Sequence, residues 1–268
     1  MVSSKSKTGT GNDTTSLVKK QRDLIWIGTS NVVIPGNKST FPPAYRMKSR
    51  LNYYSSLFRT VELNSTFYKS PLSKTYEKWS ADVPANFRFS IKLSKNITHA
   101  KDLQADLSHV NTFLTGAEGI GTKKGCLLIQ FPGKISIAHF NQVENILQTL
   151  QEHDPRNAWK KVVEFRNSEW YIGETWELLE EYGAAVVLHD IPKAKIFELH
   201  GNTNVVYIRF HGPKGDYRDS YPESFLRQTA KQVKQWVKEG KEVYAYFNNT
   251  MGEAVFNAID LEKFYRET

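Results

Sequence analysis

The alternation of short apolar runs with longer amphipathic stretches is the feature that most limits how this chain folds. Eight runs rich in β-branched and aromatic residues predict strands at 24–29, 60–65, 87–93, 126–131, 161–166, 184–190, 205–211 and 243–248. Seven stretches with the period of a helix predict helices at about 48–58, 73–80, 101–116, 137–151, 173–182, 222–239 and 250–264. The sixth connection, 191–200, is short and gives the weakest helix signal.

The spacing of these runs favours one architecture. Successive strands lie about 20 to 40 residues apart, which is typical of βα units rather than hairpins. Eight units predict an α/β protein with a single (β/α)8 TIM-type barrel over residues 23–268. An open doubly wound sheet is the alternative, and it is less favoured because the chain has no GxGxxG phosphate-binding motif. Residues 1–22 are rich in Ser, Thr and Gly and are predicted to form a disordered basic tail.

Composition excludes several classes of protein. Hydrophobic residues make up 40% of the chain and aromatic residues 13%, which is enough for a packed core. No run approaches the roughly 18 apolar residues of a membrane helix, and the N-terminus lacks the apolar segment of a signal peptide. The single cysteine, Cys126, cannot form an internal disulfide. We therefore expect a reduced, cytoplasmic protein with no membrane association.

The basic charge gives only weak support for a nucleic-acid partner. The formal net charge is +8, and residues 1–22 hold five basic residues against one acidic residue. Half of the excess positive charge therefore lies in the predicted tail, and the predicted barrel is only mildly basic.

The predicted strands end in polar residues, and this pattern indicates a site. These residues are Glu62 and Asn64, Ser90 and Lys92, Gln130, Glu164 and Arg166, His189 and Asp190, Arg209 and His211, and Tyr246 and Asn248. Most pairs have i, i+2 spacing, which puts both side chains on one face of a strand. We expect that face to point into the barrel at its C-terminal mouth, where such barrels carry their active sites. A structural lattice of ion pairs is the alternative, because buried ions cost several kcal/mol each unless they are paired.

Several segments resemble a known family. They are VELNSTFY (61–68), FSIKLSKNITH (89–99), LLIQFP (127–132), VVEFRNSEW (162–170), YIRFHG (207–212) and YFNNTMGEAVFNA (246–258). Over about residues 24–262 the chain resembles the YecE-like family, known as domain of unknown function 72. The resemblance implies an eight-stranded α/β barrel and brings no established activity. It also implies a motif role for Phe67, Thr98, Pro132, Gly212 and Thr250, besides the strand-end residues.

Paired carboxylates with basic neighbours predict general acid–base chemistry. The predicted catalytic residues are Glu62, Lys92, Glu164, Asp190 and His211. The predicted substrate-binding residues are Asn64, Tyr68, His99, Gln130, Arg166, Trp170, Arg209, Tyr246, Asn248 and Asn249. We expect Lys92 to keep one of the two glutamates ionised while burial raises the pKa of the other. We also expect Glu164→Gln to abolish ligand binding at little cost in stability.

Other chemistries have less support in the sequence. A serine nucleophile lacks its GxSxG motif, and Cys126 begins a strand at the wrong end of the barrel. A divalent metal is not favoured, although His99, His189 and His211 are candidate ligands, because no tight ligand spacing is present. The sequence leaves the identity of any other cofactor open. The segment 211–222 is interpreted either as a mobile lid or as an ordinary solvated loop.

These observations favour an enzyme acting on a small polar molecule that is anionic, phosphorylated or sugar-like. One alternative is a nucleic-acid-binding protein or phosphodiesterase. Another is a non-catalytic barrel that binds a small-molecule ligand without turnover.

Overall fold

All eight predicted strands are present in the computed structural model, which describes residues 24–268. They are β1 (Ile25–Thr29), β2 (Thr60–Leu63), β3 (Arg88–Lys92), β4 (Lys124–Phe131), β5 (Lys160–Phe165), β6 (Ala184–His189), β7 (Val205–Phe210) and β8 (Glu242–Phe247). The predicted disordered tail, residues 1–22, lies outside the described residues.

Helices follow most of the strands. They are α1 (Arg50–Leu57), α2 (Ser65–Tyr68), α3 (Ser73–Ala81), α4 (Lys95–Thr98), α5 (Ser108–Ala117), α6 (Phe140–His153), α7 (Gly173–Glu181), α8 (Glu223–Lys238) and α9 (Ala254–Glu267). The longer ones present apolar residues to the strands, so the predicted α/β alternation is confirmed.

Two connections differ from the predicted helices. The helix predicted at 101–116 begins only at Ser108, because Asp102 and Leu103 have φ values of 50° and 53°. That left-handed backbone cannot continue a right-handed helix. The sixth connection contains only a short 3-10 turn, Pro192–Ala194, in keeping with its weak helix signal.

The strands form one parallel sheet in the order β1-β8-β7-β6-β5-β4-β3-β2. Along β1, the five residues Ile25–Thr29 pair with Val243–Phe247 of β8. Between β1 and β2 the only bridge within the described chain joins Ser30 to Glu62, with the Asn31 amide donating to the Glu62 carbonyl at 2.6 Å. This β1–β2 seam closes the sheet into a barrel.

Two apolar cores lie on opposite faces of the sheet. Outward-facing residues such as Val61, Ile208 and Phe210 pack with residues of the surrounding helices. The lower interior of the barrel is filled by Trp26, Cys126, Leu128, Val162, Ala185, Val187, Tyr207, Tyr244 and Tyr246. Since this layer is packed with side chains, the polar strand ends lie above a solid floor.

No helix among residues 24–268 combines the length and apolar character that crossing a membrane requires.

Candidate functional site

Four charged side chains of alternating sign form a chain across the barrel at the carboxyl ends of its strands. We call this set, Glu62, Arg209, Glu164 and Arg166, the ion chain. Arg209 donates from Nε and Nη2 to the two oxygens of Glu62 at 2.9 and 2.8 Å, and from Nη1 to Glu164 Oε2 at 2.6 Å. Arg166 Nε donates to the other oxygen of Glu164. Inward-facing side chains of strands β2, β5 and β7 therefore meet at one point.

Glu62 has further partners that leave neither oxygen unsatisfied. Its Oε1 accepts from Ser30 Oγ at 2.6 Å and from Asn64 Nδ2 at 3.1 Å. Its Oε2 accepts from the hydroxyl of Tyr207 at 2.7 Å. Glu62 is completely buried, so this bonding offsets the cost of removing its charge from water.

Both glutamates are ionised, which corrects one sequence-based expectation. Burial alone would raise the pKa of Glu164, but Arg166 and Arg209 hold it well below its usual value. Burial acts on the pKa of Glu62 in the same way, and Arg209 lowers it. The expectation that Lys92 ionises one carboxyl while burial raises the pKa of the other is therefore wrong. The cation that both carboxylates contact is Arg209, which lies between them.

His211 is a neutral acceptor in contact with the ion chain. Its Nε2 lies 3.0 Å from Arg166 Nη2 and 3.2 Å from Arg209 Nη1, and guanidinium nitrogens only donate. The proton therefore lies on Nδ1, which donates to Asp190 Oδ1 at 3.2 Å. Burial lowers the pKa of His211 to about 4, in agreement with a neutral ring. Asp190 also accepts from the hydroxyl of Tyr221.

Lys92 differs from Arg166 and Arg209 because no carboxylate of residues 24–268 pairs with it. Its Nζ donates to Gln130 Oε1 at 2.8 Å and lies 4.1 Å from the centre of the Phe67 ring. In the part of the chain that the structure describes, no carboxylate oxygen lies within 4.0 Å of it. Burial, with the positive charge of Arg209, lowers its pKa to about 8. Lys92 is half-buried at the end of β3, so part of the residue is open to solvent.

His99 contacts the same aromatic ring as Lys92, and Asn64 lies beside Glu62 at the end of β2. The His99 ring packs edge-on against Phe67 with its centre at 4.8 Å, and its Nδ1 lies 2.9 Å from Thr98 Oγ1. Burial and the charge of Lys92 lower the pKa of His99 to about 4. Asn64 Oδ1 is buried and has no hydrogen-bond partner among residues 24–268. A buried acceptor of this kind needs a donor, which a small shift of its neighbours would let a ligand hydroxyl supply.

Two residues predicted to contact a substrate lie away from the mouth. Trp170 is completely buried on the outer side of β5, where its ring stacks on Phe165 at 4.4 Å and Nε1 donates to the Ile135 carbonyl. Tyr246 lies in the packed interior, with its hydroxyl 2.5 Å from Thr60 Oγ1. Both placements correct the prediction, because neither side chain reaches the mouth.

The remaining predicted residues divide between the mouth and the loops. Tyr68 is exposed beside Phe67, and Asn248 is buried at the end of β8. Asn249 is completely buried and donates from Nδ2 to the Asp219 carbonyl at 2.8 Å and to Asn257 Oδ1 at 3.0 Å. Asn249 therefore holds the loop after β7 in place.

The segment 211–222 has many internal and neighbouring contacts. The Gly212 amide donates to the Tyr221 hydroxyl at 2.6 Å, and the Met251 amide donates to the Tyr217 carbonyl at 3.1 Å. Tyr217 places its hydroxyl 3.4 Å from Arg166 Nη1. In this conformation the segment closes one side of the mouth.

His189 belongs to the scaffold. It is completely buried, and its Nε2 lies 3.0 Å from the Phe165 carbonyl and 3.1 Å from the Tyr171 hydroxyl. Among the described residues, no three His, Cys, Asp or Glu side chains are grouped so that they could hold a metal ion.

Four residues of the network are not among those predicted from the sequence: Ser30, Tyr207, Tyr217 and Tyr221. Two of them could have been predicted from their positions, because Ser30 directly follows β1 and Tyr207 lies two residues before Arg209 on the same face. The loop tyrosines had no such signal, since their contacts depend on how the loop folds back over the barrel.

Comparisons with known proteins agree with this architecture. A model of the family described as "Protein of unknown function DUF72" matches residues 26–268. The UPF0759 protein YunF of Bacillus subtilis is 24% identical over 244 residues, which cover 80% of this chain and 85% of YunF.

Two solved structures of DUF72 family proteins have the same fold. The protein from Enterococcus faecalis superposes with a TM-score of 0.76 at 22% identity, covering 90% of this chain and 95% of its own. The protein from Thermotoga maritima gives a TM-score of 0.72 at 25% identity, covering 91% and 99%.

Proposed function

The chain belongs to the DUF72 family. We propose that it is an enzyme that transfers protons to and from a small anionic, sugar-like substrate at the mouth of the barrel. The observation that carries this proposal is the state of Lys92. A half-buried amine with a pKa of about 8 exchanges protons readily near neutral pH.

The positive charge around Lys92 supports an anionic substrate. Lys92 has no carboxylate partner in the described chain, and the outer edge of Arg166 reaches the mouth. Lys134 is exposed on the loop after β4 and adds positive charge at His99. A phosphate or carboxylate would receive charge-assisted hydrogen bonds here.

Two neutral polar side chains near the mouth, Asn64 and Gln130, support a hydroxylated substrate. Asn64 Oδ1 is an acceptor without a partner among the described residues, and Gln130 turns its oxygen to Lys92. Gln130 would orient a hydroxyl beside the amine, and Asn64 would accept from a second hydroxyl if its side chain turned to the mouth.

The two glutamates have a different role in this proposal. Each is completely buried and bonded to guanidinium groups, so neither is free to exchange a proton with a ligand. Glu62 and Glu164 would hold Arg209 and Arg166 in place. Asp190 would do the same for His211. Lys92 is thus the proposed proton-transfer group among the predicted catalytic residues.

The experiment combines a binding test with a chemical test. Inorganic phosphate is titrated by calorimetry into the wild type, Lys92→Gln and Lys231→Gln, a control on the exposed face of α8. A panel of hydroxyaldehyde and hydroxyketone phosphates in D2O is then followed by proton NMR for loss of the C–H signal beside the carbonyl. We expect binding and exchange in the wild type and the control, with at least a tenfold loss of exchange in Lys92→Gln.

Each alternative has its own outcome. Phosphate binding without exchange of any panel member would favour a non-catalytic binding barrel. Tight binding of an oligonucleotide that persists without residues 1–22 would favour a nucleic-acid partner over a small molecule. The expected cytoplasmic location stays a prediction.

A further inference from the structure

We infer that Lys92 forms a covalent imine with the carbonyl carbon of its substrate, so that the substrate class is an anionic aldehyde or ketone. This inference rests on the proposed function and names the chemistry of the same site. It rests on the contacts of the Lys92 amine and on the charged groups around it.

The surroundings of Nζ leave it free to act as a nucleophile. It makes one hydrogen bond, to Gln130, and no other with residues 24–268. The Phe67 ring covers one side at 4.1 Å and excludes water there. A lysine in a partly apolar pocket beside other cations is the arrangement in which an amine becomes reactive.

The charges around Lys92 come from three strands, β2, β5 and β7. Glu62 of β2 and Glu164 of β5 are neutralised by Arg209 of β7 and by Arg166, directly after β5. Both carboxylates bond to guanidinium groups of the ion chain. Their charge raises the pKa of Lys92, but burial and the charge of Arg209 outweigh this effect and favour the uncharged amine. At pH 7 about a tenth of such a group is free amine, against less than about one in a thousand for an ordinary lysine.

The step balances without an oxidant or reductant. The ammonium group and the carbonyl compound give a protonated imine and one water molecule. The new C–N double bond replaces the C–O double bond. The carbonyl oxygen leaves with two of the three ammonium protons, and the third stays on nitrogen.

His99 is placed to carry protons during this step. Its ring packs on the same Phe67 ring as Lys92, and its low pKa of about 4 keeps it neutral at pH 7. A neutral imidazole can accept a proton from the attacking nitrogen and return it to the departing oxygen.

The test uses glyoxylate, a small anionic aldehyde, with sodium cyanoborohydride, which reduces an imine to a stable secondary amine. The full chain is treated at about pH 7, digested, and mapped by mass spectrometry for carboxymethylated lysines. The exposed Lys231 of α8 provides the internal reference in the same digest. We expect Lys92 to be modified at least tenfold faster than Lys231, and inorganic phosphate to slow the modification of Lys92 only.

A pH series adds a second readout. The rate at Lys92 should level off above about pH 8, whereas the rate at an exposed lysine keeps rising to about pH 10. Replacing His99 with Gln should slow modification at Lys92 and leave Lys231 unchanged.

Two results would overturn the inference: equal rates at Lys92 and Lys231, or rapid modification of Lys92 that phosphate does not slow. Neither result would remove the proposed function if the panel still shows Lys92-dependent exchange, since Lys92 could then act by proton transfer alone. Loss of both phosphate binding and exchange, by contrast, would remove the proposed function itself.

Discussion

At the scale of single residues, Arg209 determines the electrostatics of the site. Its planar guanidinium group bonds to two carboxylates on different strands at once, through Nε and both terminal nitrogens. An ammonium group has no such rigid fork and could not bridge Glu62 and Glu164 in this way. Because Arg209 serves both acids, Lys92 is left without a carboxylate partner in the described chain.

Glu164→Gln should destabilise the protein strongly, contrary to the small cost expected from the sequence. The amide cannot neutralise Arg209 and Arg166, and its NH2 group would face a guanidinium donor. Removing one partner of a buried ion pair costs about 3–5 kcal/mol. Urea denaturation at pH 7 measures this loss, and the exposed Glu177→Gln on α7 provides the control. Equal stabilities of the two variants would contradict a structural role for Glu164.

The inward direction of these residues was predictable, but their partners were not. The i, i+2 spacing of Glu164 with Arg166 and of Arg209 with His211 fixes which side of the strand they occupy. Which acid meets which base depends on distances across the barrel. That information lies in the tilt and stagger of the strands, which no local pattern contains.

At the scale of elements, the turn after β7 positions one side of the mouth. Gly212 has a φ of 97°, and a Cβ on it would lie 2.4 Å from the Arg218 carbonyl oxygen. The turn brings Tyr217 to Arg166 and Tyr221 to Asp190. The path of the loop therefore depends on the absence of a side chain at position 212.

Gly212→Ala should lower the free energy of unfolding by about 3 kcal/mol or more, because strained backbone and a steric clash add together. Gly240→Ala is the matched control, since its φ of 83° is similar and nothing lies within 4 Å of its Cβ position. The control should lose only about 1 kcal/mol. Urea denaturation of both variants gives the comparison, and a loss at Gly212 no larger than at Gly240 would refute the role of the clash.

Helix positions were predictable wherever an apolar face repeats. The exception, residues 101–107, has a suitable composition but a left-handed backbone at Asp102 and Leu103. Tertiary contacts set that backbone, so a propensity argument could not find it.

At the scale of the whole molecule, the barrel contains histidines that folding keeps neutral. Burial lowers the pKa of His211 to about 4 and also lowers that of His189. The unfolded chain binds protons at these residues near pH 6.5, where the folded protein does not.

Stability should therefore fall as the pH decreases from about 6.5 towards 4. In this range the unfolded state binds more protons than the folded state, so acid favours unfolding. His211 alone should contribute a loss of about 2 kcal/mol between about pH 7 and pH 5. Urea denaturation at several pH values measures the slope, and His211→Gln should make it shallower. An unchanged slope in that variant would show that His211 does not titrate in this way.

The β1–β2 seam has a consequence for how such a barrel can diverge over evolution. Glu62 takes part in the bridge that joins the first and last strands of the sheet order, and its carboxylate also begins the ion chain. A lineage that replaces Glu62 would alter the closure of the barrel and the floor of the site together. New substrate preferences would therefore arise in the loops around the mouth, where a change leaves the closure of the barrel and the reacting groups intact.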